Sequence, residues 1–243
     1  MLVLYRIYQI FIMLPLLVVV TILAAVITVA GCALGGGKWW GYYPAALWGR
    51  IICWISFVRV TVSGRGNISR STSYVFVANH QGAYDIFSIY GYLHHNFRWM
   101  MKASLRRIPF VGYACEVSKQ IYVDKSSATA LKHTMERAEQ MLSNGMSIVV
   151  FPEGARTYTG KVGTFKRGAF SLAQEFRLPI VPITIDGAYK VLPRTSKWPH
   201  WGHIHLTIHK PIVPDSAEGH DMPKAMAQSR EAILSALPEN LQD

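Results

Sequence analysis

His80 and Asp85 stand five positions apart in Asn79-His80-Gln81-Gly82-Ala83-Tyr84-Asp85, directly after the apolar run Tyr74-Val75-Phe76-Val77-Ala78. A histidine acts as a general base near neutral pH when a hydroxyl can reach one ring nitrogen and a carboxylate holds the other. The carboxylate fixes the tautomer and stabilises the imidazolium. A turn leaving the end of a strand can supply both. No other histidine in the chain has an aspartate five residues on. The plainer alternative makes Asp85 a helix cap beside a histidine that closes the strand, and capping and orienting are compatible roles.

Three further segments carry charge or strain at similar places. Phe151-Pro152-Glu153-Gly154-Ala155-Arg156-Thr157 leaves a second apolar run, Ser147–Val150. Glu153 can accept a hydrogen bond from a hydroxyl, and Arg156 can grip a phosphate or carboxylate through two parallel bonds. By itself the segment also fits a surface turn with a solvated Glu–Arg pair. Lys102 stands just past a short strand candidate and can add charge to the same anion site; alone it is a solvated lysine. Val181-Pro182-Ile183-Thr184-Ile185-Asp186-Gly187 is an apolar strand with an internal proline, which argues for an edge position or a bulge near a site.

The elements that must hold these groups alternate in type. Short apolar runs bounded by Gly or Asn predict strands at 58–63, 74–78, 98–101, 120–123, 147–151, 180–185 and 203–208. Helices are expected at 85–93, 126–142, 165–176 and 222–237. Asp85 is placed to cap the first helix. Ser126 or Ser127 is placed to cap the second, with Leu131, Met135, Ala138 and Leu142 on one face and Asn144-Gly145 at its end. The order implies a layered α/β domain with a mixed, mainly parallel sheet. Ligands sit beyond the carboxyl ends of strands in such sheets, so the strand-end loops are expected to converge.

The first quarter of the chain differs from this pattern. Residues 7–34 carry no charge, a run longer than the roughly 20 residues that cross a hydrocarbon core. A second apolar stretch at 39–58 has Arg50 as its only charge, and Gly35-Gly36-Gly37-Lys38 separates the two. This reads as a membrane-embedded helical hairpin over 1–58, spanning the bilayer or lying in one leaflet. Its aromatic residues and Pro44 favour interface depth for the second helix. The domain boundary then falls near 58–66, with the α/β domain at 59–243.

The net charge is +11 with 16% charged residues. Beside a membrane segment, that excess suits the anionic cytoplasmic leaflet. The basic residues are dispersed and carry no nucleic-acid-binding signature. Cys32, Cys53 and Cys115 are too few and too uneven for a disulfide framework, which suits a reducing compartment. A lipoprotein-type box, Val29-Ala30-Gly31-Cys32, follows an apolar run far longer than a signal-peptide core. There is no Gly-x-Ser-x-Gly elbow. Gly154 and Gly160-Lys161 are spaced one residue too far apart for a phosphate loop, with Val162 in place of Ser or Thr. His203, His205 and His209 share a strand face with His200 nearby, but no carboxylate or cysteine at ligand spacing completes a metal set.

Taken in order, four segments resemble the blocks of the glycerolipid acyltransferase family. They are Asn79-His80-x4-Asp85, Lys102 with Ile108-Pro109-Phe110-x-Gly112, Phe151-Pro152-Glu153-Gly154-x-Arg156, and Val181-Pro182. Ala155 stands where the family usually has Thr, and Gly82 where it often has Ser. The resemblance implies transfer of a fatty acyl chain from a thioester of acyl carrier protein or coenzyme A to the free hydroxyl of 1-acylglycerol 3-phosphate, giving phosphatidate. On that reading His80 is the base and Asp85 its orienter. Arg156 and Lys102 hold the phosphate, Glu153 and Gly154 line the glycerol end, and Lys166 and Arg167 are peripheral. The implied setting is the cytoplasmic face of an inner membrane with an anionic lipid surface. No metal or cofactor and no nucleic acid partner are expected.

Overall fold

The computed structural model describes residues 2–124, 127–143, 145–215 and 221–242. Seven strands form one sheet in the order β1-β7-β6-β2-β5-β3-β4. They are β1 (Val58–Ser63), β2 (Val75–Ala78), β3 (Phe97–Lys102), β4 (Ile121–Val123), β5 (Ser147–Val150), β6 (Ile180–Asp186) and β7 (Gly202–Ile208). Every neighbouring pair is parallel except β6 with β7. The sheet is therefore mixed and mainly parallel, as the alternation of elements implies.

This order decides where the chemistry lies. β6, β2, β5 and β3 are adjacent and run the same way, so their carboxyl ends form one row. His80 follows β2, Glu153 and Arg156 follow β5, Lys102 ends β3, and Asp186-Gly187 ends β6. Four segments scattered over a hundred residues thus arrive at one rim.

Helices cover both faces. On one, Phe76 and Ala78 of β2, Val149 of β5 and Ile183 and Ile185 of β6 pack with Ile52, Tyr84 and Ile89. On the other, Val75, Val77, Ile148 and Ile180 pack with Ala138, Phe170, Leu172 and Ile233. The alternation along each strand is the period of two that sends successive side chains to opposite layers. In the Ala128–Ser143 helix the Ser127 hydroxyl caps by accepting from the Ala130 N–H at 3.0 Å, and Ala138 and Leu142 are buried. Ser126, Asn144 and the Leu131 side chain lie outside the described residues.

Pro182 is not on an edge strand, because β6 has β2 on one side and β7 on the other. A bulge is present, but it lies in the segment opposite β6 and towards the amino end of that strand, away from the rim. Ile183 pairs with Ile208, but Ile180 bridges Ile212, so the partner segment carries one extra residue: a bulge. It faces the position where Pro182 has no N–H, and the Pro182 carbonyl accepts from the His209 N–H at 3.0 Å.

The N-terminal region departs in part from a lipid-surrounded hairpin. The first helix is continuous from Leu2 to Ala33, with a π-turn at Gln9–Met13, and most of its perimeter is exposed and apolar. The second helix, Tyr43–Ile55, has 13 residues. At about 1.5 Å per residue it is too short to cross a hydrocarbon core about 30 Å thick. One face of it is buried in the domain through Ala46, Gly49, Ile52 and Cys53. A Cβ at Gly49 would sit 2.7 Å from the Phe87 carbonyl oxygen, so this glycine allows the helix to lie directly on the Tyr84–Tyr92 helix.

Candidate active site

The chain leaves β2 through Asn79, whose side chain extends the sheet beyond the last backbone rung. The Asn79 Nδ2 donates to the Ile185 carbonyl at 2.9 Å, and Oδ1 accepts from the Ile185 N–H at 2.7 Å. With β2 pinned to β6 in this way, the main chain is free to turn at His80.

The His80 Nδ1 and Asp85 Oδ2 are 2.7 Å apart. The same oxygen accepts from the Gly82 N–H at 2.9 Å, and the Asp85 side chain is fully buried. A carboxylate at this distance fixes a proton on Nδ1 and leaves Nε2 to accept one. Asp85 is not the cap of its helix: the cap position is Ala83, and Asp85 lies inside the first turn of Tyr84–Tyr92. There its charge complements the helix N-terminus while the side chain turns back to His80 and Gly82.

The ring of His80 is also clamped from its face. It lies flat on Phe151, with centroids 3.9 Å apart and planes 6° from parallel, and Phe151 stacks in turn on Trp99. Phe151 was legible as a motif position, whereas Trp99 belongs to no motif. Pro152, buried, accepts from the Lys166 N–H through its carbonyl at 2.9 Å.

Glu153 does something its spacing did not reveal. Oε1 accepts from the His80 N–H and Oε2 from the Gly163 N–H, each at 2.7 Å. The carboxylate therefore ties the loop after β2 to both ends of its own loop. Burial raises its pKa above the ordinary range; the two N–H groups and the nearby His80 oppose the rise. Gly154 adopts φ +76°, and a Cβ there would sit 2.7 Å from the Lys166 Nζ. Lys166, which is exposed, therefore lies against this loop.

Arg156 is half-buried on the same loop. Arg194, which no sequence signal marked, lies beside it: its Nη1 points to the Arg156 carbonyl at 3.5 Å, and its guanidinium covers Tyr158 at 4.4 Å. Lys102 is exposed at the end of β3. Gly112 is held by close approach, since a Cβ would meet the Arg106 carbonyl oxygen at 2.0 Å. Pro109 and Phe110 are exposed, and Phe110 takes φ +61°. Gly82 is enclosed too: a Cβ would lie 2.6 Å from the Leu192 carbonyl oxygen. A serine here therefore requires that loop to shift.

A hydrogen-bonded strut ties the site to the N-terminal helix. The Tyr84 hydroxyl donates to Ser56 Oγ at 2.5 Å, and the Tyr5 hydroxyl donates to the Ser56 carbonyl at 3.0 Å. Tyr84 immediately precedes Asp85. The histidines of β7 take hydroxyl partners. His203 and His205 contact Thr61 Oγ1, each at 2.7 Å, and His209 contacts Thr184 Oγ1 at 2.8 Å. Among the described residues no group of three His, Cys, Asp or Glu side chains is placed to hold a metal ion.

A family model described as Acyltransferase matches residues 59–186, which carry all four segments. The chain belongs to the acyltransferase family. A 1-acyl-sn-glycerol-3-phosphate acyltransferase of Pseudomonas aeruginosa is 30% identical over 80% of this chain and 75% of its own length. A chloroplastic 1-acyl-sn-glycerol-3-phosphate acyltransferase of Arabidopsis thaliana is 31% identical over 73% of this chain. The chain spans about half the length of that acyltransferase and of the other chloroplast relative it matches. The crystal structure of the 1-acyl-sn-glycerophosphate acyltransferase PlsC of Thermotoga maritima superposes with a TM-score of 0.69 at 27% identity. It covers 78% of this chain and 75% of PlsC.

Proposed function

We propose that this acyltransferase moves a fatty acyl chain from a thioester to the free hydroxyl of 1-acylglycerol 3-phosphate, giving phosphatidate for phospholipid synthesis. The observation that carries the reading is the clamped His80–Asp85 pair, tied to the loop of Arg156 in a domain that carries an exposed apolar helix. His80 Nε2 takes the proton as the hydroxyl oxygen attacks the thioester carbonyl. The tetrahedral centre then collapses, the C–S bond breaks, and the leaving thiolate recovers the proton from the imidazolium. Asp85 stabilises that imidazolium and holds the ring. A base placed in this way contributes roughly 10²–10⁴ in rate. No acyl-enzyme is needed, because the acceptor hydroxyl is itself the nucleophile.

Arg156 holds the acceptor phosphate, with Lys102, Lys166 and Arg194 as further cations. This fixes the distance from phosphate to hydroxyl, and positioning of that kind accounts for much of the remaining acceleration. Glu153 braces the loops beside the glycerol end, where Gly154 lets Lys166 approach. The donor is an acyl carrier protein or coenzyme A thioester, arriving from the cytosol.

Residues 1–58 seat the enzyme in an inner membrane, with the α/β domain on the cytosolic side. The contacts of the long helix favour a position within one leaflet. Gln9 donates to the Pro199 carbonyl at 2.6 Å, and the Val111–Val117 helix packs along Leu14–Ala33. The domain thus flanks the helix along most of its length, and a spanning orientation would draw the domain into hydrocarbon. Both lipids then keep their chains in the leaflet, avoiding about 0.8 kcal/mol per methylene exposed to water.

An acyl-transfer assay in liposomes tests the reading, with lysophosphatidate as acceptor and each thioester as donor. Phosphatidate formation is the expected result. Transfer to neutral lysolipids, with none to phosphorylated acceptors, would overturn the assignment of the acceptor.

A further inference from the structure

A second cationic cluster lies at the opposite end of the sheet from His80. The Tyr43–Ile55 helix presents Tyr43, Leu47, Arg50 and Trp54 along one face, at the spacing of successive turns. Leu47 and Trp54 are 55% and 63% exposed, and Trp39 extends the stripe through a tilted ring contact with Tyr43, centroids 4.8 Å apart. In the middle of this apolar stripe stands Arg50. Its Nε donates to the Gly91 carbonyl at 2.6 Å and its Nη2 donates to His94 Nε2.

Arg65 and Arg70, both exposed, lie in the segment between β1 and β2, close enough to Arg50 and His94 to act on them electrostatically. The two of them, with Arg50, act electrostatically on His94. Burial first, and these three guanidinium groups next, push its pKa down to about 4. His94 is therefore a neutral acceptor for Arg50, and adds no counter-charge. No Asp or Glu precedes Asp85 in the chain. Among the described residues no carboxylate pairs with Arg50, Arg65 or Arg70. Clustered like charges with no counter-ion are costly to a fold, and an external anion relieves that cost.

We propose that Arg50, Arg65, Arg70 and His94 bind the phosphate of an anionic membrane phospholipid whose acyl chains lie against Leu47 and Trp54. The apolar stripe decides between partners. An acidic protein surface matches the cations but leaves Leu47, Trp54 and Trp39 against polar groups, whereas a phospholipid matches both halves. The site rests on the membrane seating argued above, not on the reaction. It lies at the other end of the strands from His80.

The test compares binding of the full chain to phosphatidylcholine vesicles with and without phosphatidylglycerol. Each basic residue near an anionic leaflet is worth about fivefold in affinity. The double variant Arg65→Gln/Arg70→Gln should therefore bind phosphatidylglycerol-containing vesicles roughly 20-fold more weakly, with binding to neutral vesicles unchanged. Lys132→Gln/Arg137→Gln removes the same charge from the Ala128–Ser143 helix and should change binding less than about twofold. Adding dihexanoyl phosphatidylglycerol should shift the His94 imidazole resonances in the parent chain and not in the first variant. Equal losses in the two variants, no loss in the first, or an unmoved His94 resonance would overturn the site. So would unchanged vesicle binding with a raised KM for acyl carrier protein thioester, which would make this face a carrier-docking surface. Turnover of a soluble short-chain acceptor by Arg65→Gln/Arg70→Gln should stay within about twofold; a larger loss would refute the separation from the active site.

Discussion

The imidazole of His80 is held at one edge and one face, and its backbone is held too, whereas the guanidinium of Arg156, on the neighbouring loop, has no hydrogen bond or ion pair among the described residues. Asp85 grips His80 at Nδ1, Phe151 covers its face, and its backbone is tied to Glu153 and Thr157. Arg156 is restrained through its main chain, which approaches Arg194. The roles proposed for the two residues explain the contrast. A proton acceptor must be in place before the reaction, because reorganisation at the barrier slows it. A phosphate ligand supplies its own ordering when it binds, and its charge is what brings loose cations together.

Substitutions at the two loops should therefore fail in different ways, and four of them rank by size. His80→Ala should lower kcat by roughly 10²–10⁴ with little change in acceptor KM. Retained turnover would remove the histidine from the mechanism. Asp85→Asn should come next, at up to about the same loss, because the amide no longer fixes the tautomer. It also disturbs the Gly82 N–H contact, so circular dichroism must show an intact fold for the kinetic loss to count.

Arg156→Ala should act mainly on KM for a phosphorylated acceptor, by about 10-fold to 100-fold for one lost charge-assisted contact. Adding Arg194→Ala should deepen the effect. An equal fall in kcat with KM unchanged would erase the distinction between the loops. Phe151→Leu is the subtlest probe: losing the stacking, worth about 0.5–1.5 kcal/mol, should cost roughly twofold to tenfold in kcat at constant KM. Unchanged kcat would show that Asp85 alone suffices to hold the ring.

The same contrast explains what was readable before the fold was known. His80, Asp85, Glu153 and Arg156 were visible because they sit in short contiguous segments after apolar runs. The strands were visible because β2, β5 and β6 are buried on both faces and read as unbroken apolar stretches. Arg194 was not, and Lys166 was legible only as nearby charge, since their approach to the β5 loop depends on how segments return to the rim, and nothing local encodes that. The bracing by Glu153 was hidden for a related reason: its partners are backbone N–H groups, which every residue type except proline carries. Apolar content suggested a membrane hairpin for 1–58, but only tertiary packing shows that one face of the second helix belongs to the core. Composition alone cannot distinguish lipid from protein as the apolar partner of Ile52 and Cys53.

The Tyr5–Ser56–Tyr84 strut bears on how this protein can be handled and how it matures. Cutting the chain before β1 would strip Ile52 and Cys53 from the layer that covers Phe76 and Ile89, and would remove the hydroxyl partner of Tyr84. A truncated domain of that kind is expected to aggregate rather than to work as a soluble enzyme, so purification calls for detergent or nanodiscs. Tyr5 and Ser56 precede Tyr84 in the chain, so docking of the Tyr84–Tyr92 helix is expected to complete the strut.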